Sequence, residues 1–334
     1  MPLPPSGAGS LVQMGIESRA GRFGAVVTAM VTPFDEEGNL NVHGACDLAR
    51  WLADHGSDGL VLSGTTGEAP VLSDAEAAEL WRAVAEAVTV PVLAGVGTAD
   101  TRHSMERARQ AQDAGVAGLL VVTPYYSRPS QAGLRQHFEA VARVADLPVM
   151  LYDIPVRTGR GIASDTLARL ASEVPNIVAL KDAAGDVVST ARLAAQVPAG
   201  FDIYSGDDSF TLPLLAVGAV GVVSVASHWV GTEIGEMIAA FSKGDVEAAR
   251  ALNVGLADAV AFQSSELYPN PLPAKAMCRA LGLAVGQCRS PMGVAPPELD
   301  QEAHRLAKAL GATGAHSGSD SDSGSHSGSG ATLG

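Results

Sequence analysis

The sequence predicts an α/β fold in which eight strand-helix units close into a (β/α)8 barrel, followed by a C-terminal helical appendage. Three observations predict it. Eight short β-rich runs alternate with longer stretches of helical periodicity. Those runs are apolar throughout, which implies parallel strands buried on both faces. The eight units occupy roughly 220 residues, the size of a TIM barrel. An open doubly wound sheet would carry an early dinucleotide fingerprint, and the nearest approach, "GVGTAD" at 95–100, lacks its third glycine.

In chain order the expected strands are "AVVTAMVT" (25–32), "GLVLSG" (59–64), "PVLAGVG" (91–97) and "GLLVVTP" (118–124). "PVMLYDIP" (148–155), "NIVALK" (176–181), "FDIYSG" (201–206) and "GVVSVAS" (221–227) follow. Helical segments such as "DAEAAELWRAVAEAV", "TRHSMERARQAQDAG" and "SDTLARLASEV" lie between them, with Asp74, Thr101 and Ser164 as expected N-caps. Three further helical stretches after the eighth unit form the appendage. The expected organisation is a loosely held leader (1–22), a catalytic barrel (23–244), a helical region (245–312) and a disordered Ser/Gly/Asp tail (313–334). The tail has too little apolar content to offset the entropy of ordering its backbone, and its His316 and His326 read as solvated.

Composition narrows the function. Against 22 basic residues stand 36 acidic ones, a net charge of −14, which repels nucleic acid and anionic membranes. An anionic substrate therefore needs a local positive site. Cys46, Cys278 and Cys288 show neither a disulfide framework nor metal-ligand spacing, so a reducing, cytoplasmic setting is expected. No run reaches the roughly 18 apolar residues of a membrane span, and the N-terminus lacks the pattern of a secretory signal.

Barrel active sites lie at the C-terminal strand ends, and one of those ends poses a question. The run "NIVALKDAAG" (176–185) closes on Lys181, one of only four lysines in the chain. Most lysines are surface residues. A lysine turned into a barrel mouth, however, loses solvent that favours its charged form, and the neutral amine attacks ketones and aldehydes to form a Schiff base. Asp182, its neighbour, is expected on the opposite side of the strand.

Other strand ends supply complementary groups. "SGTTGE" (63–68) places Thr65 and Thr66 among glycines, where hydroxyls and backbone N–H groups can receive a carboxylate; an ordinary capped glycine turn is its plainer reading. "TPYY" and "LYDIP" hold Tyr125, Tyr126 and Tyr152, whose phenols can carry protons or simply pack. Arg157 can grip a second carboxylate with its planar fork, or lie solvated in its loop.

Taken together, "GTTGE", "TPYY.RP", "LY.IP.RTG", the lysine of the sixth strand and "SGDD" resemble the dihydrodipicolinate synthase family of pyruvate-dependent class I aldolases. That family belongs to the wider N-acetylneuraminate lyase superfamily. The resemblance runs from about residue 23 to about 310. It implies that Lys181 forms the Schiff base with pyruvate and that Thr65, Tyr126 and Tyr152 make a proton relay. It implies that Thr65 and Thr66, with backbone near Gly206 and Val223, hold the pyruvate carboxylate, and that Arg157 holds the carboxylate of L-aspartate 4-semialdehyde. The implied product is 4-hydroxy-tetrahydrodipicolinate, the first committed step of lysine and diaminopimelate biosynthesis, formed without metal or organic cofactor. It further implies a homotetramer built as a dimer of dimers, with Tyr125 crossing the dimer interface.

Positions that bind inhibitory lysine in some family members are here Asp74, Ala99 and His103, which implies weak or absent lysine feedback. Two alternatives stand beside this reading. Sister lyases of sialic acid or keto-deoxy sugar acids share the lysine and the carboxylate turn, but Arg157 and the full tyrosine set suit a short substrate with its own carboxylate. A catalytically silent keto-acid-binding oligomer would have lost the lysine or the relay, and neither is lost.

Overall fold

The computed structural model of the chain describes residues 21–311, so the expected leader up to residue 20 and the expected tail lie outside the described residues. Eight strands form one closed barrel: β1 (Val26–Ala29), β2 (Gly59–Leu62), β3 (Val92–Gly95), β4 (Gly118–Val122), β5 (Val149–Asp153), β6 (Ile177–Asp182), β7 (Asp202–Ser205) and β8 (Gly221–Ser224). Each pairs in parallel with the next, and β8 returns to β1. The (β/α)8 TIM barrel expected from periodicity is the observed fold.

Burial explains why the strands read as continuously apolar. Val27, Val61, Leu93, Leu120, Met150 and Val223 fill the barrel interior. Their sequence neighbours, such as Val26, Leu60, Leu151 and Val222, face outward against the helical layer and belong to the larger core. Both faces are therefore dry. At β5–β6 the register shifts between Val149 and Met150, so that Met150 pairs with Ala179 and Tyr152 with Lys181. Without that bulge Tyr152 would face Leu180, and the lysine would lie one residue out of step.

The helix starts differ from expectation by one residue. Ser73, not Asp74, caps helix Asp74–Ala87, in a reciprocal capping box with Glu76. Asp100, not Thr101, caps Thr101–Asp113, and helix Ser164–Glu173 starts after Ala163 with no side-chain cap. In the first two cases the upstream residue has the extended backbone that lets its oxygen reach back to the first free N–H groups.

The C-terminal helices Val246–Gly255, Ala257–Ala261, Leu272–Ala280 and Pro297–Ala309 are seated on the barrel rather than hung from it. Phe34, beyond β1, donates its N–H to the Val285 carbonyl at 3.1 Å, and Asn270 reaches Thr66 beyond β2. A cluster of Leu272, Ala276, Cys288, Leu299 and Ala303 gives this region a core of its own.

Candidate active site

At the C-terminal strand ends lies a cavity of about 400 Å³, lined among others by Thr65, Tyr125, Tyr152, Arg157 and Asn270. Lys181 does not line it but is tied to it through Tyr152: the lysine is 4% exposed, with Nζ 4.4 Å from the centre of the Tyr152 ring. Strand alternation aims it inward: Ala179 lies in the barrel interior, Leu180 in the outer layer and Lys181 again inside. Asp182 faces away as expected, its carboxylate accepting from Ala184 N at 3.0 Å and from Thr190 Oγ1 at 2.6 Å. Asp182 is thus turned away from the Lys181 amine.

Gly206, beyond β7, borders the same side chain. A Cβ there would come within 3.0 Å of Lys181 Cγ and 2.8 Å of Ala183 Cβ, so only glycine leaves the lysine its path. Val223 is buried in the interior with Tyr152. Of the "SGDD" motif, Asp208 secures the loop after β8. It accepts from Ser224 Oγ and from Val225 N at 2.9 Å, while burial pushes its carboxyl up.

The two tyrosines of "TPYY" diverge. Tyr125 lines the cavity, whereas Tyr126 is 94% exposed with φ 68°. The expectation assigned Tyr126 to the relay and Tyr125 to the interface. Of the two, Tyr125 lines this chain's cavity, and Tyr126 lies exposed on left-handed backbone. Arg157 stands in the short helix Pro155–Thr158 after β5, and among the described residues its side chain makes one hydrogen bond, a long 3.5 Å approach to the Asn270 carbonyl. Most of its donors are left for a ligand.

The profile of the Dihydrodipicolinate synthetase family matches residues 22–310. This chain belongs to that family. The 4-hydroxy-tetrahydrodipicolinate synthase of Acidothermus cellulolyticus is 51% identical over 292 residues, covering 87% of this chain and 91% of the relative. That of Moorella thermoacetica is 47% identical over 295 residues, covering 88% and 99%. The crystal structure of a dihydrodipicolinate synthase from Bacillus anthracis superposes with a TM-score of 0.83 at 42% identity, covering 86% of this chain and 98% of that one.

Within this family member, sequence reading missed three groups. Asn270 donates Nδ2 to Thr66 Oγ1 at 3.0 Å from 204 residues away, and its buried Oδ1 has no partner among the described residues. Lys275 lies within 2.8 Å of Glu68 in a fully buried ion pair. Only the scarcity of lysines could have drawn attention to it. Asp153, behind Tyr152, is pushed up to about 7 by burial, against the N–H of Ile162 and with Asp182 adding to the rise.

Of the three positions expected to bear on feedback, Asp74 and His103 contact each other at the protein surface, and Ala99 is exposed. Asp74 accepts from Arg107 at 2.7 Å and lies 3.0 Å from His103 Nε2. Burial raises its carboxyl, but Arg107 and His103 outweigh that and hold it below the ordinary carboxylate range.

Proposed function

We propose that this chain condenses pyruvate with L-aspartate 4-semialdehyde through a Schiff base on Lys181, giving 4-hydroxy-tetrahydrodipicolinate and thereby opening lysine and diaminopimelate biosynthesis. The observation that carries this reading is a lysine, 4% exposed, on the inner wall of a barrel mouth with a tyrosine ring 4.4 Å from its amine. The relatives cited support the substrates, since each named relative is a 4-hydroxy-tetrahydrodipicolinate synthase. The sugar-acid lyase reading is not favoured by them.

In this mechanism the Lys181 amine adds to the pyruvate ketone, and the carbinolamine loses water as the Tyr152 hydroxyl carries the proton. Thr65 and Thr66 hold the pyruvate carboxylate, with backbone near Gly206 and Val223. Loss of a methyl proton gives an enamine whose terminal carbon attacks the aldehyde, forming the new carbon-carbon bond. Arg157 holds the second substrate's carboxylate bidentately. That substrate's amino group then attacks the imine carbon and displaces Lys181, which closes the ring and frees the enzyme. One water is lost over the cycle, and no cofactor enters.

The relay is completed by a second copy of the chain. Tyr126, exposed on its own protomer, enters the neighbouring site, and Tyr125 stays in its own cavity. A cytoplasmic homotetramer, built as a dimer of dimers around barrels of residues 23–244, fits this division of labour. Lysine feedback is weak or absent, because Asp74 is already occupied by Arg107 and His103. Steady-state turnover of pyruvate with L-aspartate 4-semialdehyde, measured beside cleavage of sialic acid and a keto-deoxy sugar acid, tests the assignment. Rapid turnover of the first pair alone is the expected result.

A further inference from the structure

We propose that Lys275 is a positioning residue for the first substrate, acting through Glu68 to fix the turn that carries Thr65 and Thr66. The inference rests on the reading of that turn as the pyruvate-carboxylate site.

The turn starts and ends on non-glycine residues in left-handed backbone, Ser63 at φ 47° and Glu68 at φ 55°. Such conformations are costly for residues with a Cβ and persist only where the surroundings over-determine them. Each end is clamped. Ser63 Oγ donates to the Gly95 carbonyl at 3.2 Å and accepts from Trp81 Nε1 at 2.8 Å, both from the barrel and its helices.

The other clamp comes from the C-terminal region. Glu68 Oε2 accepts from Arg289 N at 2.9 Å, across 221 residues of chain. Glu68 Oε1 lies 2.8 Å from Lys275 Nζ, and the approach is a charge contact rather than an aligned hydrogen bond. Lys275 is 0% exposed. It donates to the Gln287 carbonyl at 2.9 Å, and its Nζ stands 4.1 Å from the Phe34 ring centre. Burial pushes its amine below the ordinary value, against the pull of Glu68.

A buried ion pair is a poor way to gain stability, since an apolar pair of similar volume commonly serves as well or better. What the pair adds here is a fixed direction at the end of a strained turn. Asn270 adds a third anchor. Its Nδ2 donates to Thr66 Oγ1 at 3.0 Å, which uses the hydroxyl as acceptor and leaves its own hydrogen to donate to a carboxylate.

The test uses the full chain and pyruvate itself. The pyruvate concentration giving half-maximal borohydride trapping on Lys181 is read by intact mass for wild type, the double variant Glu68→Gln/Lys275→Met, and Glu68→Asp. The double variant removes both charges together; Glu68→Asp keeps both and shortens the reach by one carbon. Each is checked for folding by circular dichroism, and KM is measured for both substrates.

We expect folded variants that need about tenfold more pyruvate for trapping, the equivalent of one decade in affinity. KM for pyruvate should rise with it, while KM for the second substrate stays unchanged. Trapping curves that superimpose on wild type while only the melting temperature falls would make Lys275 purely structural and overturn the proposal. Should the double variant fail to fold, Glu68→Asp decides in the same way. Absence of trapping in wild type would instead overturn the Schiff-base reading, and this inference with it.

Discussion

Tyr152 and Lys181 are paired neighbours on β5 and β6, with the lysine amine 4.4 Å from the tyrosine ring centre. The next pair in the same register, Asp153 and Asp182, lies on the outer face of the barrel wall. One strand pair therefore carries the Lys181 amine and the Tyr152 ring inside and two buried carboxyl groups outside. The bulge after Val149 sets that register.

Gly206 controls where the lysine sits. A methyl at that position meets Lys181 Cγ at 3.0 Å, so Gly206→Ala pushes the side chain off its path. We expect kcat to fall about 100-fold, the scale of a misplaced reacting group, with a stability loss of ~1–3 kcal/mol from overpacking. Steady-state kinetics and thermal melts on the variant check this, and an unchanged kcat would show that the lysine has room to spare.

Asp153 makes stability depend on pH. Its folded value of about 7 lies above the ordinary 3.8, so as pH rises the unfolded chain releases this proton first. Stability from this group is complete below about pH 4, declines through the window up to about 7 and is flat above it, a change on the order of 4 kcal/mol. Asp153→Asn carries no proton to lose. Urea unfolding should then show the variant gaining on wild type at pH 8 relative to pH 5; parallel pH dependences in the two proteins would refute the assignment.

Tyr126 acting across an interface predicts complementation. Subunits bearing Lys181→Ala and subunits bearing Tyr126→Phe are each impaired, but a mixed dimer contains one site with the intact lysine of one chain and the intact tyrosine of the other. Refolding the two together should recover roughly a quarter of wild-type activity, the share of intact sites expected from random pairing in a two-fold dimer. No gain over the separate variants would place Tyr126 outside the relay.

The barrel was legible because its strands are buried on both faces, which leaves continuous apolar runs, and because each run ends in turn chemistry. Lys181 was legible because it interrupts such a run at its last residues. The directions of Tyr125 and Tyr126 were not, since adjacent residues in a loop lack the alternation that fixes direction in a strand; Tyr126 has φ 68° and lies exposed, while Tyr125 lines the cavity. The helix caps at Ser73 and Asp100 were missed by one residue because serine, threonine and aspartate stand side by side there. Asn270 and the Glu68–Lys275 pair were hidden by distance along the chain. Sequence periodicity carries no information about which C-terminal residue folds back over which strand end.

The central claim is that Lys181 is the nucleophile, and intact mass spectrometry after incubation with pyruvate and borohydride tests it most directly. We expect a single reduced pyruvyl adduct on wild type, mapped to Lys181, and none on Lys181→Ala. An adduct that persists on Lys181→Ala, or the absence of any adduct on active wild-type enzyme, would contradict it.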